Sequence, residues 1–519
     1  FFSVLVMQLK WIVFSAWVGL AQLLTPLNLD YTLGASGNYK GVAYSGFRKE
    51  GPPTECLTED NIRQDMELLS KYGIKWIRTY SIDLCQDLIP SIAKDYGIDT
   101  FIGLRISQTT TMEEWMITVA QLEEMFRKDT RLVPLIVVGN ELLYEKIQPI
   151  DTLQNFFKYV QDRGFKAAVA DTPAVLLNEA NVKILSEADI VLLHIHPFFE
   201  RIEDASKQRA EHTHMAPDAT AAEYVIQVAK KTQETYPNQL VLLGETGWPR
   251  HDDTPKDNVD ACRWCSPKYQ KLFIDALTNR AAATGIGMFL FEAFDETWKS
   301  NLAEEGGAAP YWGVFTADRT PRPAAKSVEA WVSSVDPVEV HGEDMCKAVE
   351  EMAECVPVAD ADDGAIQQTL DHLCWEGLVI CKLLDNPLTG TCSLRAKTAW
   401  ALSRYYQSHQ RMEQACDWHG TATPKAAIYS SEKHVLDDYG EEEGGGPETT
   451  EVQAEASKGS FPLVSLSAVG LLLVAAVVAF KRVHHESEEA RVELELVDSA
   501  PQSYGSSGVF LSDTSIIMD

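Results

Sequence analysis

From residue 39 to about residue 335 the chain alternates eight times between a short apolar, β-branched run and a longer segment of helical periodicity. Few folds absorb such a pattern. The runs fall at 41–47, 76–81, 100–106, 132–139, 167–170, 190–195, 240–244 and 287–294. Each has strand length, and their continuous apolar character is that of strands buried on both faces. The segment 58–73 shows the intervening pattern. Thr58 is a natural N-cap, Ile62, Met66 and Leu69 share one helical face, and Gly73 supplies the stop. Eight strand–helix units predict an α/β fold of the (β/α)8 (TIM) barrel type over 39–335. A doubly wound open sheet also alternates strands and helices, but it carries a Gly-rich phosphate loop after an early strand, and no such loop is present.

In such a barrel the chemistry gathers at the C-terminal ends of the strands. The residues expected there are Tyr44 on strand one, Arg78-Thr79-Tyr80 on strand two and Asn140-Glu141 on strand four. Strand six contributes His194-Ile195-His196, strand seven Glu245 through Trp248, and strand eight Phe294 through Lys299. Glu141 and Glu245 each end a strongly apolar strand, where an unpaired carboxylate is costly. Strands four and seven stand nearly opposite in an eight-stranded barrel, so both side chains reach one cleft. Two facing carboxyl groups are the apparatus of glycoside hydrolysis. The nearby Tyr44, Phe198, Trp248 and Trp298 suit stacking on sugar rings. A plainer reading makes both glutamates ion-pair partners of Arg78 or Lys299 that stabilise the rim. His194 and His196 share one face of a strand, as a metal pair would, but no carboxylate or Cys partner is specified. Neither a metal nor a cofactor is expected.

At these residues the sequence becomes specific. Val-Gly-Asn140-Glu141, Gly-Glu245-Thr-Gly-Trp248-Pro and Phe-Glu-Ala-Phe-Asp-Glu296-Thr-Trp-Lys299 resemble, in order and spacing, glycoside hydrolase family 17, the β-1,3-glucanases. The resemblance implies a retaining double displacement on β-1,3-glucan, with Glu141 as general acid/base and Glu245 as nucleophile. Retention implies carboxyl groups about 5–5.5 Å apart. It further implies that Asn140 bonds the sugar 2-hydroxyl, that Glu296 and Lys299 form an auxiliary acidic–basic pair, and that Tyr44 and His196 line the subsite where the bond breaks. Arg78 and Trp248 complete the expected substrate-binding set.

Ten cysteines agree with an oxidising compartment, and six of them (Cys346, Cys355, Cys374, Cys381, Cys392, Cys416) crowd into a small disulfide-stapled module. Cys56, Cys85, Cys262 and Cys265 are read as structural disulfides rather than as a zinc or redox motif. Residues 340–422, closing in Cys416-Asp-Trp418-His-Gly-Thr-Ala422, resemble carbohydrate-binding module family 43, which implies β-1,3-glucan binding. Met345 stands where that family usually has Trp, and Trp418 where it has Phe.

The remaining segments concern location. Residues 1–21 read as a secretory signal peptide, with Lys10 before an apolar run and a small-x-small site at Gly19 and Ala21. Residues 461–480 are uncharged and long enough to cross a ~30 Å hydrocarbon core. Lys481 and Arg482 follow at once, and the positive-inside rule puts them in the cytoplasm. A single-pass type I protein is expected, with its barrel and module at the cell surface. A Gly/Glu-rich linker at 423–460 and an acidic cytoplasmic tail at 481–519 flank the span. The net charge of −31, from 45 basic and 76 acidic side chains, argues against nucleic acid as a partner. Two rivals accompany the hydrolase reading: a β-1,3-glucan transglycosylase, and a non-catalytic glucan receptor, which would have no need of either carboxylate. Endo or exo action depends on loops such as that carrying Glu200, His212 and His214.

Overall fold

The computed structural model describes Leu27, Leu29 and residues 31–425, apart from 48–56, 200–214, 252–263, 302–306, 335, 338 and 410. The expected signal peptide, membrane span and tail, almost all of the linker, and Glu200, His212 and His214 lie outside the described residues. No described helix is long and apolar enough to cross a membrane.

Eight parallel strands close into a barrel in sequence order. They are β1 (Lys40–Ala43), β2 (Trp76–Arg78), β3 (Asp99–Leu104), β4 (Leu135–Val138), β5 (Lys166–Asp171), β6 (Ile190–His194), β7 (Leu240–Thr246) and β8 (Met288–Leu290). The pairing of Gly41 with Phe289 belongs to the closing seam between β1 and β8. The period of two explains the filling. Leu135 and Val137, Ala168 and Ala170, Ile190 and Leu192 join Tyr39, Phe101, Leu242 and Phe289 in one cluster. Their neighbours Ile136, Val138, Val169, Val191 and Leu193 are equally buried, on the opposite strand face beneath the helices. That double burial is why the runs are apolar throughout.

The helices begin and end where their side chains dictate. Thr58 accepts a hydrogen bond from the Asn61 N–H and opens helix Glu59–Lys71, which buries Ile62, Met66 and Leu69. Thr111 and Glu114 form a reciprocal capping box at the start of Met112–Lys128.

The C-terminal module is helical, around a short antiparallel pair β9 (Cys355–Pro357) and β10 (Ala422–Pro424). Three disulfides staple it: Cys346–Cys392, Cys355–Cys416 and Cys374–Cys381. Cys85 and Cys265 are disulfide-bonded as well. Module and barrel form one compact unit. Ala348 and Met352 of the module pack with Ala216, Trp264, Tyr269 and Leu272 of the barrel. The Trp400 Nε1–H donates to Thr220 Oγ1 at 3.1 Å, across 180 residues of sequence.

Candidate active site

One irregularity in the barrel wall sets the site. Pairing of β6 with β7 runs in step from Ile190 opposite Leu240 to Leu193 opposite Leu243, then shifts by one residue, so that His194 faces Glu245 instead of Gly244. Counting by twos from the inward-facing Leu242 reaches Gly244; the bulge brings in the carboxylate. Bulges are a common way of re-aiming a side chain beside an active site. The residue skipped has to be glycine. A Cβ on Gly244 would stand 2.7 Å from the Leu192 Cβ and within 3.0 Å of two atoms of the His194 ring.

Glu245 is 6% exposed and heavily bonded. Its Oε1 accepts from Arg78 Nη1 at 2.7 Å and from the Tyr80 hydroxyl at 2.8 Å. Its Oε2 lies 3.5 Å from His196 Nε2. Burial alone would raise the affinity of this carboxyl for a proton. The His194 ring, the Arg78 guanidinium and the His196 hydrogen bond outweigh burial and hold Glu245 well below the usual carboxylate range. Tyr80 moves the other way: burial and the Glu245 carboxylate push its phenol up, which keeps it a donor.

Glu141 follows β4 through a turn in which Gly139 has φ 77° and Glu141 itself φ 49°. Its Oε1 lies 2.9 Å from His194 Nδ1, and its side chain is 21% exposed, more open than Glu245. The Arg78 Nη1 stands 2.7 Å from His194 Nε2 and can only donate to it. The imidazole proton therefore sits on Nδ1 and is given to Glu141. A ligand atom each from Glu141, His194 and Glu245 lie within 4.8 Å of one another. This donor set would suit a cation, but Arg78 Nη1 already holds both His194 Nε2 and Glu245 Oε1.

The predicted residues divide. Asn140 joins the cluster, its Oδ1 accepting from Arg78 Nη2 at 2.6 Å. Arg78 is wholly buried, so it positions Glu245, Asn140 and His194 and does not face a substrate. His196 faces Glu245, its ring edge-on to Phe291 and Trp312. Lys299 Nζ reaches Glu296 at 2.7 Å and Glu292 at 3.6 Å, and lies 4.8 Å from the centre of the Phe291 ring. Two residues depart from expectation. Trp248 has no exposed surface; it packs on Phe198 and Phe273 and donates Nε1–H to the Trp264 carbonyl. Tyr44 is 1% exposed, with its hydroxyl on Asp65. Neither stands on the rim. Phe198 is buried as well, whereas its neighbour Phe199 is 54% exposed.

Sequence reasoning put Tyr80 and His194 at strand ends but gave Tyr80 no role and weighed for His194 only a metal pair, which it set aside; it passed over Glu292. Burial, and then the adjacent Glu296, push Glu292 well above the usual carboxyl range, which favours its protonated form. Both missed groups sit just past a strand end, the signal that found Glu141 and Glu245.

Comparison with known proteins gives two domain matches. The BtgE/BtgC glycoside hydrolase domain matches residues 41–313, and the X8 domain matches residues 353–423. A glucan 1,3-beta-glucosidase of Arthroderma benhamiae is 28% identical over 292 residues, covering 52% of this chain and 86% of that protein. The Aspergillus clavatus protein named "Probable beta-glucosidase btgE" is 29% identical over 299 residues, covering 54% of this chain. The chain spans only 46% of that relative's length. Among solved structures, the glycoside hydrolase family 17 beta-1,3-glucanosyltransferase of Rhizomucor miehei is similar at 20% identity and a TM-score of 0.44, covering 59% of this chain and 100% of that one.

Proposed function

The chain belongs to the BtgE/BtgC glycoside hydrolase family, and from that premise we propose that it hydrolyses β-1,3-glucosidic bonds in cell-wall or storage glucan, with retention of configuration. The observation that carries this reading is the asymmetry of two close carboxyl groups. Glu245 is buried, charge-compensated and held ionised, as a nucleophile must be. Glu141 is more open and takes one proton donor, from His194. One oxygen of each lies within 4.8 Å of one oxygen of the other, in keeping with the close carboxyl pair of a retaining enzyme.

In the first step Glu245 attacks the anomeric carbon, and Glu141 delivers a proton to the departing glycosidic oxygen. Oε2 is the attacking atom, because Oε1 is engaged by Arg78 and Tyr80. In the second step Glu141 takes a proton from water, whose oxygen displaces Glu245 and releases the sugar. Asn140, fixed through Oδ1, keeps its amide N–H groups as donors to the 2-hydroxyl. The module adds polysaccharide binding; Trp375, 89% exposed beside the Cys374–Cys381 disulfide, offers it a ring face. In this reading residues 1–21 direct secretion and residues 461–480 span the membrane, so that the enzyme works at the cell surface as a single-pass protein. The hydropathy of those segments and the basic pair Lys481-Arg482 support this.

The test is reducing-end release from laminarin, with the anomer of the first product read by NMR, beside Glu245→Gln. The β-anomer should appear first, and the variant should lose activity on the order of 10^4-fold or more. Products longer than the substrate would mark a transglycosylase. A folded protein that binds glucan without turnover would leave a receptor.

A further inference from the structure

Glu141 occupies left-handed backbone space (φ 49°), which is strained for a non-glycine residue and persists only where its surroundings enforce it. Two consecutive residues at the end of β5 do the enforcing. The Ala170 carbonyl accepts the Glu141 N–H at 2.9 Å. The next residue, Asp171, accepts the Leu143 N–H on Oδ2 at 3.1 Å, while its Oδ1 takes the Thr172 N–H at 2.8 Å. Asp171 is 1% exposed. Burial, with Glu141 adding to it, pushes its carboxyl up to about 6 against the Thr172 and Leu143 N–H bonds and His194. A buried carboxylate is a costly way to cap one turn. The groups around it are Glu141 beyond β4, His194 on β6 and Tyr236 beyond helix Ala219–Thr235.

We propose that Asp171 is a positioning residue for the general acid: its carboxylate, together with the Ala170 carbonyl, clamps both ends of the Glu141 turn and so aims the Glu141 carboxyl at the leaving oxygen. The inference rests on the retaining glucanase reading above. It concerns delivery of a proton and leaves the two donors to Glu245 Oε1 in place, since Arg78 and Tyr80 bond Glu245 and the Asp171 carboxylate bonds the Leu143 and Thr172 N–H groups.

That separation gives the test. Two substrates are compared by kcat/KM, which reports the first step: a laminari-oligosaccharide, whose alkoxide leaving group needs a proton, and a 2,4-dinitrophenyl β-glycoside of the same sugar, whose leaving group needs none. Asp171→Ala should lower kcat/KM on the oligosaccharide by about 100-fold, the scale of a misplacement near 1 Å. On the aryl glycoside the change should stay within about threefold. Asp171→Asn keeps one acceptor and the side-chain volume, so it should fold and show the same selective loss at about tenfold. Equal losses on both substrates in the folded variants would overturn the role of Asp171 and leave the glucanase reading standing. A wild-type protein inactive on both substrates would overturn the two together.

Discussion

Replacing Arg78 by Met tests whether the charge state of Glu245, the proposed nucleophile, is imposed by its neighbours. Arg78 Nη1 lies 2.7 Å from Glu245 Oε1, with the guanidinium fully buried and the carboxylate side chain 8% exposed. At an effective dielectric constant near 20, two unit charges at that distance attract by about 6 kcal/mol. Loss of one partner from a buried pair costs about 3–5 kcal/mol, because the other is left uncompensated. Some of that cost is relieved when Glu245 takes up a proton, so its pKa should rise back toward the ordinary carboxylate range. The sign follows from linkage. The wild-type carboxyl is depressed, so the stability its charge contributes is present above the ordinary glutamate range and lost only in strong acid. In Arg78→Met part of that stabilisation disappears, and Glu245 keeps its proton to higher pH. The assay is kcat/KM on a laminari-oligosaccharide between pH 3 and 8. The acid limb should move upward, with the loss of activity largest at the acid end of the range, up to about 100-fold, and shrinking toward neutral pH. A loss uniform across pH, with the acid limb unmoved, would refute the electrostatic reasoning and reduce Arg78 to a packing element.

Two further outcomes follow from burial and connectivity. Trp248→Ala should destabilise the barrel by about 3–5 kcal/mol, read from denaturant unfolding, with KM unchanged for the folded fraction, because the ring has no exposed surface. Removing Cys346 and Cys392 together opens a link spanning 46 residues. It should cost the module about 4 kcal/mol by chain entropy, seen as an earlier melting of the module's helices.

Much of this architecture was legible because the barrel repeats one rule eight times. Apolar runs of strand length, capped helices such as that after Thr58, and short connections leave little choice of topology. Glu141 and Glu245 stood out because a carboxylate at the end of a buried strand contradicts its surroundings. The aromatic residues were harder. Trp248 and Tyr44 follow strand ends just as rim residues would, and hydrophobicity does not distinguish a ring facing a cleft from one facing a helix; the contacts of Trp248 with Phe273 and of Tyr44 with Asp65 are long-range facts. Asp171 lies one residue past the apolar run of strand five, an end that sequence reading did not inspect. Arg78 was placed at the site, but its role turns on four acceptors drawn from three other strand ends, which no local pattern encodes.

The shifted pairing between β6 and β7 makes nucleophilicity a matter of parity. A strand offers its side chains to two sides in turn, so Glu245 is either inside the barrel or outside it, with no intermediate. Were Gly244 drawn into regular pairing with His194, Glu245 would fall one step later and its carboxylate would be turned toward the helices, although no residue of the chain had changed. Packing of the run Leu-Val-Leu-Leu ahead of it would barely register the change. The identity of residue 245 is therefore only half of what puts a carboxylate in the cleft; the other half is a choice of pairing made one residue earlier.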